Sequence, residues 1–108
     1  MAQSQRVFDI LQKAAAVYEE RNAVYSDAYL KVGPIMEALF PQGMDLKTQE
    51  DHNRYHLLVL IVVKLTRYSA QWMSGHPDSM NDVMVYAAMI QALDSQMQED
   101  RYLAEEGF

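Results

Sequence analysis

The longest uninterrupted apolar segment of this 108-residue chain runs from Leu57 to Val63, inside the stretch between Thr48 and Trp72. A helix that is hydrophobic on every side is normally buried on every side. The segment therefore predicts a central helix that other elements must surround. Thr48 followed by Asp51 resembles a capping box, with aspartate in place of glutamate, and predicts the start of this helix.

A first amphipathic helix is predicted before the central one. It is expected to start near Ser4, because apolar residues recur at helical spacing from Val7 to Tyr18. Beyond Tyr18 the stripe changes character and includes charged and aromatic residues. The sequence leaves two ends open for this helix, one near Asn22 and one near Val32.

Two further helices are predicted from local signals. Gly33-Pro34 predicts a break, and Pro34 is suited to the first position of a short helix from Pro34 to Phe40. Ser79 and Asp82 resemble a second capping box and predict the start of a last helix. The segment 83–90 is almost wholly apolar, so this helix is also expected to be well buried.

The predicted fold class is all-α, because no segment alternates with the period of two that a half-buried strand requires. We expect a small helical bundle of three main helices plus one short helix. It would form a single domain over residues 1–108, with an acidic C-terminal tail at about 98–108. Two very apolar helices in so short a chain also predict a homodimer, since few other elements are available to cover them.

Composition excludes several functional classes. The formal net charge of −6 disfavours binding to the phosphate backbone of nucleic acids, which needs a basic surface. The apolar run is shorter than the roughly 20 residues that a membrane-spanning helix needs. The chain has no cysteine, and its first residues lack the apolar core of a signal peptide. The expected location is therefore the cytoplasm, with no membrane contact.

Five residues form the predicted ligand site, and four of them, called the predicted anion site below, lie on the first and central helices. Arg21 and Tyr25 lie four residues apart at the end of the first stripe, and Lys64 and Arg67 lie three apart on the central helix. Arginine binds phosphate as a planar fork and lysine as a point charge. Two interpretations remain open for these cations: ligand binding, or purely structural contacts with a tyrosine ring and with acidic residues of the last helix.

Carboxylates at the start of the last helix suggest a metal site. Asp78, Asp82 and Tyr86 recur every four residues, and Mg²⁺ prefers carboxylate oxygens while keeping several waters. The alternative is structural: Asp82 would complete the capping box, and Asp78 would favour the positive end of the helix. Tyr86, like Tyr25, is a candidate for packing on a base.

Three blocks of the sequence resemble a family of small all-helical proteins of tailed bacteriophages and prophages, whose function is unknown. The family blocks read approximately R-xxx-YG, K-xx-R and D-S-xx-D-xxx-YA. They match Arg21 with Tyr25, Lys64 with Arg67, and finally Asp78, Ser79, Asp82, Tyr86 and Ala87. One position departs from this pattern, because Ser26 stands where the family has glycine after the tyrosine. The resemblance implies a phage accessory protein in an infected or lysogenic bacterium.

A more distant resemblance is to the all-α nucleoside triphosphate pyrophosphatases of the MazG and dUTPase type. It implies a helical bundle, often oligomeric, with a magnesium site. The Glu-xx-Glu and Glu-xx-Asp motifs of those enzymes are missing here. Besides Asp78 and Asp82, only Glu19 and Glu20 could supply further carboxylates, and only if the first helix turns them inward.

The leading hypothesis is a protein that binds a nucleotide or another phosphorylated small molecule. Arg21, Lys64 and Arg67 would contact phosphate, and Tyr25 or Tyr86 would pack on a base. A MazG-like enzyme would add metal-assisted attack of water on a phosphoanhydride. The alternative is a non-enzymatic helical module that binds a host or phage protein, with the charged residues fixing helix register.

Overall fold

The computed structural model describes residues 2–25 and 27–107, and every regular element within these ranges is helical. The all-α prediction is confirmed. Three helices are long, one is short, and a single 3-10 turn precedes the short one. In chain order they are α1 (Gln3–Tyr25), the 3-10 turn Ala28–Leu30, α2 (Val32–Leu39), α3 (Gln49–Ala70) and α4 (Pro77–Glu105).

The antiparallel pair of α3 and α4 forms the body of the molecule. Arg54 Nε donates to Asp94 Oδ1 at 2.9 Å near one end of the pair. Lys64 Nζ lies 2.7 Å from Asp82 Oδ2 near the other end. Val62 on α3 is only 2% exposed. The two ion pairs and the central valine hold the register of the two helices.

The capping box at the start of α3 is confirmed. Thr48 Oγ1 accepts a hydrogen bond from the Asp51 backbone N–H at 3.1 Å. The Asp51 carboxylate accepts the backbone N–H groups of Lys47 and Thr48, each at 3.2 Å. These bonds lower the pKa of Asp51 from its ordinary value of 3.8. Their contribution to stability is therefore complete above that value and is lost as the pH falls through the lower folded-state pKa.

The second predicted capping box is wrong. Helix α4 begins at Pro77, and His76 is its N-cap residue. Proline is favoured at the first helical position because its φ is preset and its missing N–H has no partner to lose. Ser79 thus lies inside the first turn, where its buried hydroxyl is hydrogen-bonded to His76 Nδ1. Asp82 pairs with Lys64 instead of capping the helix.

The first helix ends well before Gly33-Pro34, where the sequence predicts a break. Helix α1 ends at Tyr25, so the extension to Val32 is wrong. Asp27 adopts the left-handed conformation with φ of 56°, and its N–H donates to Asn22 Oδ1 at 2.9 Å. Gly33 and Pro34 lie within the first turn of α2, where backbone N–H groups need no helical partner.

The C-terminal tail continues α4. Residues 98–105 remain helical, so the acidic tail is an extension of the last helix over most of its length. All residues from Gln98 to Gly107 are exposed. Among the described helices, none combines the length and the apolar character needed to cross a membrane.

The expectation that α3 and α4 are enclosed is wrong for a single chain. Within the described ranges Val62 is the only buried hydrophobic residue, and the apolar residues around it on α3 are half-buried. The Cα radius of gyration is 19.4 Å, against about 13 Å for a compact domain of this length. The reason is topological, since α2 covers only part of α3 and α1 extends away from the pair.

Removing the Thr48 hydroxyl should destabilise the fold. We expect Thr48→Ala to lower the free energy of unfolding by about 1 kcal/mol, because an N–H at the start of α3 loses its acceptor. Urea denaturation measures the change. Thr48→Ser retains the acceptor and should stay within a few tenths of a kcal/mol of the wild type. Equal losses in the two variants would contradict the role of the hydroxyl.

Removing the Asp82 carboxylate should leave a half-buried ammonium group without its partner. The Lys64 side chain is 18% exposed, so we expect Asp82→Ala to cost about 1–2 kcal/mol of stability. The exposed Asp78, one turn earlier on α4, provides the matched control. Asp78→Ala should cost no more than about 0.5 kcal/mol. Equal effects in urea denaturation would show that the ion pair does not stabilise the helix pair.

Candidate functional site

The cleft that contains most of the predicted anion site lies between the C-terminal end of α1, the 3-10 turn and α3. Its volume is about 360 Å³, within the range of small-molecule sites. Most of its polar character comes from tyrosine and arginine side chains. The lining residues are Tyr18, Arg21, Asn22, Tyr25, Ala28, Tyr29, Val32, Val63, Thr66 and Arg67.

Tyr25 joins three segments at one end of the cleft. The Cζ atom of Arg67 lies 5.4 Å from the centroid of the Tyr25 ring and sits over it. The ring of His76 approaches at 6.4 Å with an interplanar angle of 87°. A cation over a ring face is attracted by the ring's quadrupole. Tyr25 therefore positions the end of α1 against α3 and against the turn before α4.

Tyr18 and Tyr29 form a second aromatic group in the cleft. Their ring centroids are 6.5 Å apart, with an interplanar angle of 67°. The neighbouring Tyr29 side chain is the main cause that raises the pKa of Tyr18 above its ordinary value of 10.0, with smaller contributions from desolvation and the nearby Asp27. Two tyrosine rings thus lie side by side on the wall of the cleft, each with a hydroxyl that can donate or accept a hydrogen bond.

Six cations form no salt bridge among the described residues, and the two arginines of the cleft differ from the other four (Arg6, Lys13, Lys31 and Arg101) in that both line one cavity. In the described part of the chain, Lys47, Arg54 and Lys64 form ion pairs with aspartates, whereas Arg21 and Arg67 form none. Two guanidinium groups thus face the same cleft with their charge uncompensated by a salt bridge. In a chain of net charge −6, this makes the cleft locally suited to an anion.

The structure separates the predicted ligand residues into two groups. Arg21, Tyr25 and Arg67 come together in the cleft. Lys64 does not line it, because its ammonium group is held by Asp82 on α4. Tyr86 is half-buried on α4 and is also absent from the described lining. Of the two interpretations left open for Lys64, the structural one fits its contact in the fold, because Lys64 pairs with an acidic residue of the last helix.

The predicted carboxylates do not assemble into a cluster. Asp82 is occupied by Lys64, and Asp78 is exposed in the first turn of α4. Glu19 and Glu20 are exposed on α1 and do not line the cleft. Over residues 2–25 and 27–107, no three histidine or acidic side chains form a group suited to a metal ion.

Several cleft residues were missed by the sequence analysis. Tyr18 could have been included, since it precedes Arg21 by three residues and Tyr25 by seven on one helical face. Thr66 is buried beside Arg67, but no motif or spacing in the sequence singles it out as a site residue. Tyr29 and His76 reach the site only through the turns that carry them. No spacing rule along a single helix would have found these last two.

The position that departs from the phage-protein pattern follows Tyr25 directly. Ser26, which stands where the phage family has glycine, lies outside the described residues. Of its two neighbours, Tyr25 lines the cleft and Asp27 precedes the 3-10 turn.

Comparison of the chain with protein-family models, with curated proteins and with solved structures gave no significant match.

Proposed function

We propose that this protein binds a nucleotide or another phosphorylated small molecule with a flat apolar group in the cleft at the end of α1. One observation supports this most directly. Arg21 and Arg67 face the same cleft without ion-pair partners among the described residues, beside the rings of Tyr18, Tyr25 and Tyr29. Cations and aromatic rings together match the two halves of such a ligand.

Recognition would divide between the two kinds of side chain. Arg21 is exposed and Arg67 half-buried, so Arg67 would hold phosphate at the inner end while Arg21 closes the outer side. Charge-assisted bonds from guanidinium to phosphate are about twice as strong as neutral hydrogen bonds. The edges and faces of Tyr18 and Tyr29 would pack on the flat group.

Homodimerisation and a phage role belong to the same proposal. The exposed apolar surface of the single chain supports a dimer, and the three sequence blocks support a phage accessory protein acting in the bacterial cytoplasm. Hydrolysis of a phosphoanhydride is a further step that would need Mg²⁺. The carboxylates that could bind it, Asp78 and Asp82, lie apart from the cleft lining, so binding is the better supported activity.

A thermal-shift screen with nucleoside mono-, di- and triphosphates and cyclic nucleotides tests the proposal. Saturation at about 100 times the dissociation constant adds roughly 2.7 kcal/mol to stability. That corresponds to a rise in Tm on the order of 10 °C for a domain of this size. Each ligand is measured with and without Mg²⁺, and product analysis follows any shift that depends on the metal.

Two variants assign the response to the cleft. Arg21→Ala and Arg67→Ala should each weaken binding by about tenfold or more, because each removes a charge-assisted contact to phosphate. Arg101→Ala, on the exposed end of α4, is the matched control and should bind normally. Lys64→Ala should affect stability more than affinity. An absence of any shift, or equal weakening by all three arginine variants, would overturn the proposal.

The second candidate is a helical interaction module without a small ligand. The observation that favours it is the exposed apolar surface of α1, where Leu11 is 62% exposed. Under this alternative, Arg67 serves only to pack Tyr25 against α3. Arg67→Ala would then lower stability, and no nucleotide would raise the Tm of the wild type.

A further inference from the structure

Helix α1 carries an apolar stripe that its own chain leaves uncovered. Every residue from Gln3 to Glu20 except Asp9 is exposed. Helical spacing places six large apolar residues of α1 on one broad face, of the width typical of a core-facing helix, and the exposed Phe8 lies beyond one edge of it. Polar residues such as Gln12 occupy the opposite face. The stripe consists of Val7, Ile10, Leu11, Val17, Tyr18 and Val24, all at least 45% exposed.

A complementary uncovered surface lies on the α3–α4 pair. Helix α2 packs on one side of this pair, where Phe40 contacts Tyr55. A different side carries a shallow groove whose apolar floor includes Met89, which is 47% exposed. Val85, one turn earlier, extends the apolar surface along α4. The residues lining the groove are Asn53, His56, Leu57, Met89, Ala92 and Leu93, and none of them is an acid, lysine or arginine.

The accessible surface area of the chain is larger than that of a compact monomer of the same mass. The chain exposes 8496 Å². A compact monomer of 12.4 kDa exposes only about 6,100 Å². The surplus of about 2,400 Å² per copy corresponds to a dimer interface at the upper end of the range for obligate homodimers.

From these observations we infer that α1 of one copy docks in the α3–α4 groove of a second copy, and that the exchange is reciprocal. This inference rests on the homodimeric state proposed above, but not on ligand binding. Each chain supplies one uncovered helix and one uncovered groove, so a two-fold pair satisfies both surfaces at once.

The net charge of α1 is compatible with docking in the groove of a second copy. Helix α1 carries three basic and three acidic residues and is neutral overall, so the −6 charge of the chain lies elsewhere. Docking a neutral helix in a groove without formal charges avoids repulsion between two acidic copies. The 23 residues of α1 span roughly 35 Å, enough to follow most of the α3–α4 pair.

The oligomeric state is measured by sedimentation on the full chain. The wild type should sediment at twice the 12.4 kDa of one chain. Leu11→Glu places a charge in the interface twice and should weaken the dimer at least about 100-fold. Gln12→Glu adds the same charge on the polar face and should leave the dimer intact. Circular dichroism checks that both variants retain their helices.

Cross-linking distinguishes this arrangement from other dimers. Since the chain has no cysteine, Leu11→Cys and Met89→Cys each introduce a unique thiol. Mixed chains treated with a short bifunctional maleimide should join Leu11→Cys of one copy to Met89→Cys of the other.

Three outcomes would contradict the proposed docking of α1 in the groove. Cross-links only between two Leu11→Cys chains would show helix-to-helix contact of the arms and reject the groove as the docking site. A dimer that Leu11→Glu leaves intact would do the same. A monomeric wild type would reject both the groove and the proposed homodimer, while the thermal shift with nucleotides tests ligand binding separately.

Discussion

The pairing of α3 with α4 is the interaction on which the other features of this protein depend. Val62 and the two ion pairs set the register of the helices, and that register determines which side chains remain available for other contacts. Because Asp82 faces α3 at the level of Lys64, the lysine charge is compensated within the pair. Arg67 lies one turn further along α3 and is left for the end of α1.

The different contacts of Lys64 and Arg67 explain why the cleft contains positive charge. Lys64 and Arg67 are close in sequence, yet one stabilises the body and the other faces a cavity of about 360 Å³. The contact of Arg67 with Tyr25 anchors α1 to α3 without neutralising the guanidinium. The same contact therefore attaches the first helix and keeps positive charge at the site, which links the stability of the fold to the proposed binding of an anion.

The exposed surface of α1 has a related origin. Its last turns are held by Tyr25, by the bond from the Asp27 N–H to Asn22 and by the edge-to-face contact of Tyr18 with Tyr29. These contacts direct the rest of α1 away from its own α3–α4 pair. The apolar face of α1 is therefore left exposed in the single chain, and in the dimer proposed above the groove of a second copy would cover it.

The sequence by itself determined the all-α class, the three long helices and the start of α3 at Thr48, because helical periodicity and capping are local properties of the chain. It also placed Arg21 beside Tyr25, since their separation of four residues requires only a helix. Local signals failed where two of them competed, as Pro77 displaced Ser79 at the start of α4. The tertiary structure alone decided that Arg67, and not Lys64, lines the cleft with Arg21. It also decided that Tyr29 and the turn carrying His76 contact the tyrosines of α1. The physical reason is that helical spacing fixes the direction of a side chain around its own axis. The group that it meets depends on how separate helices pack.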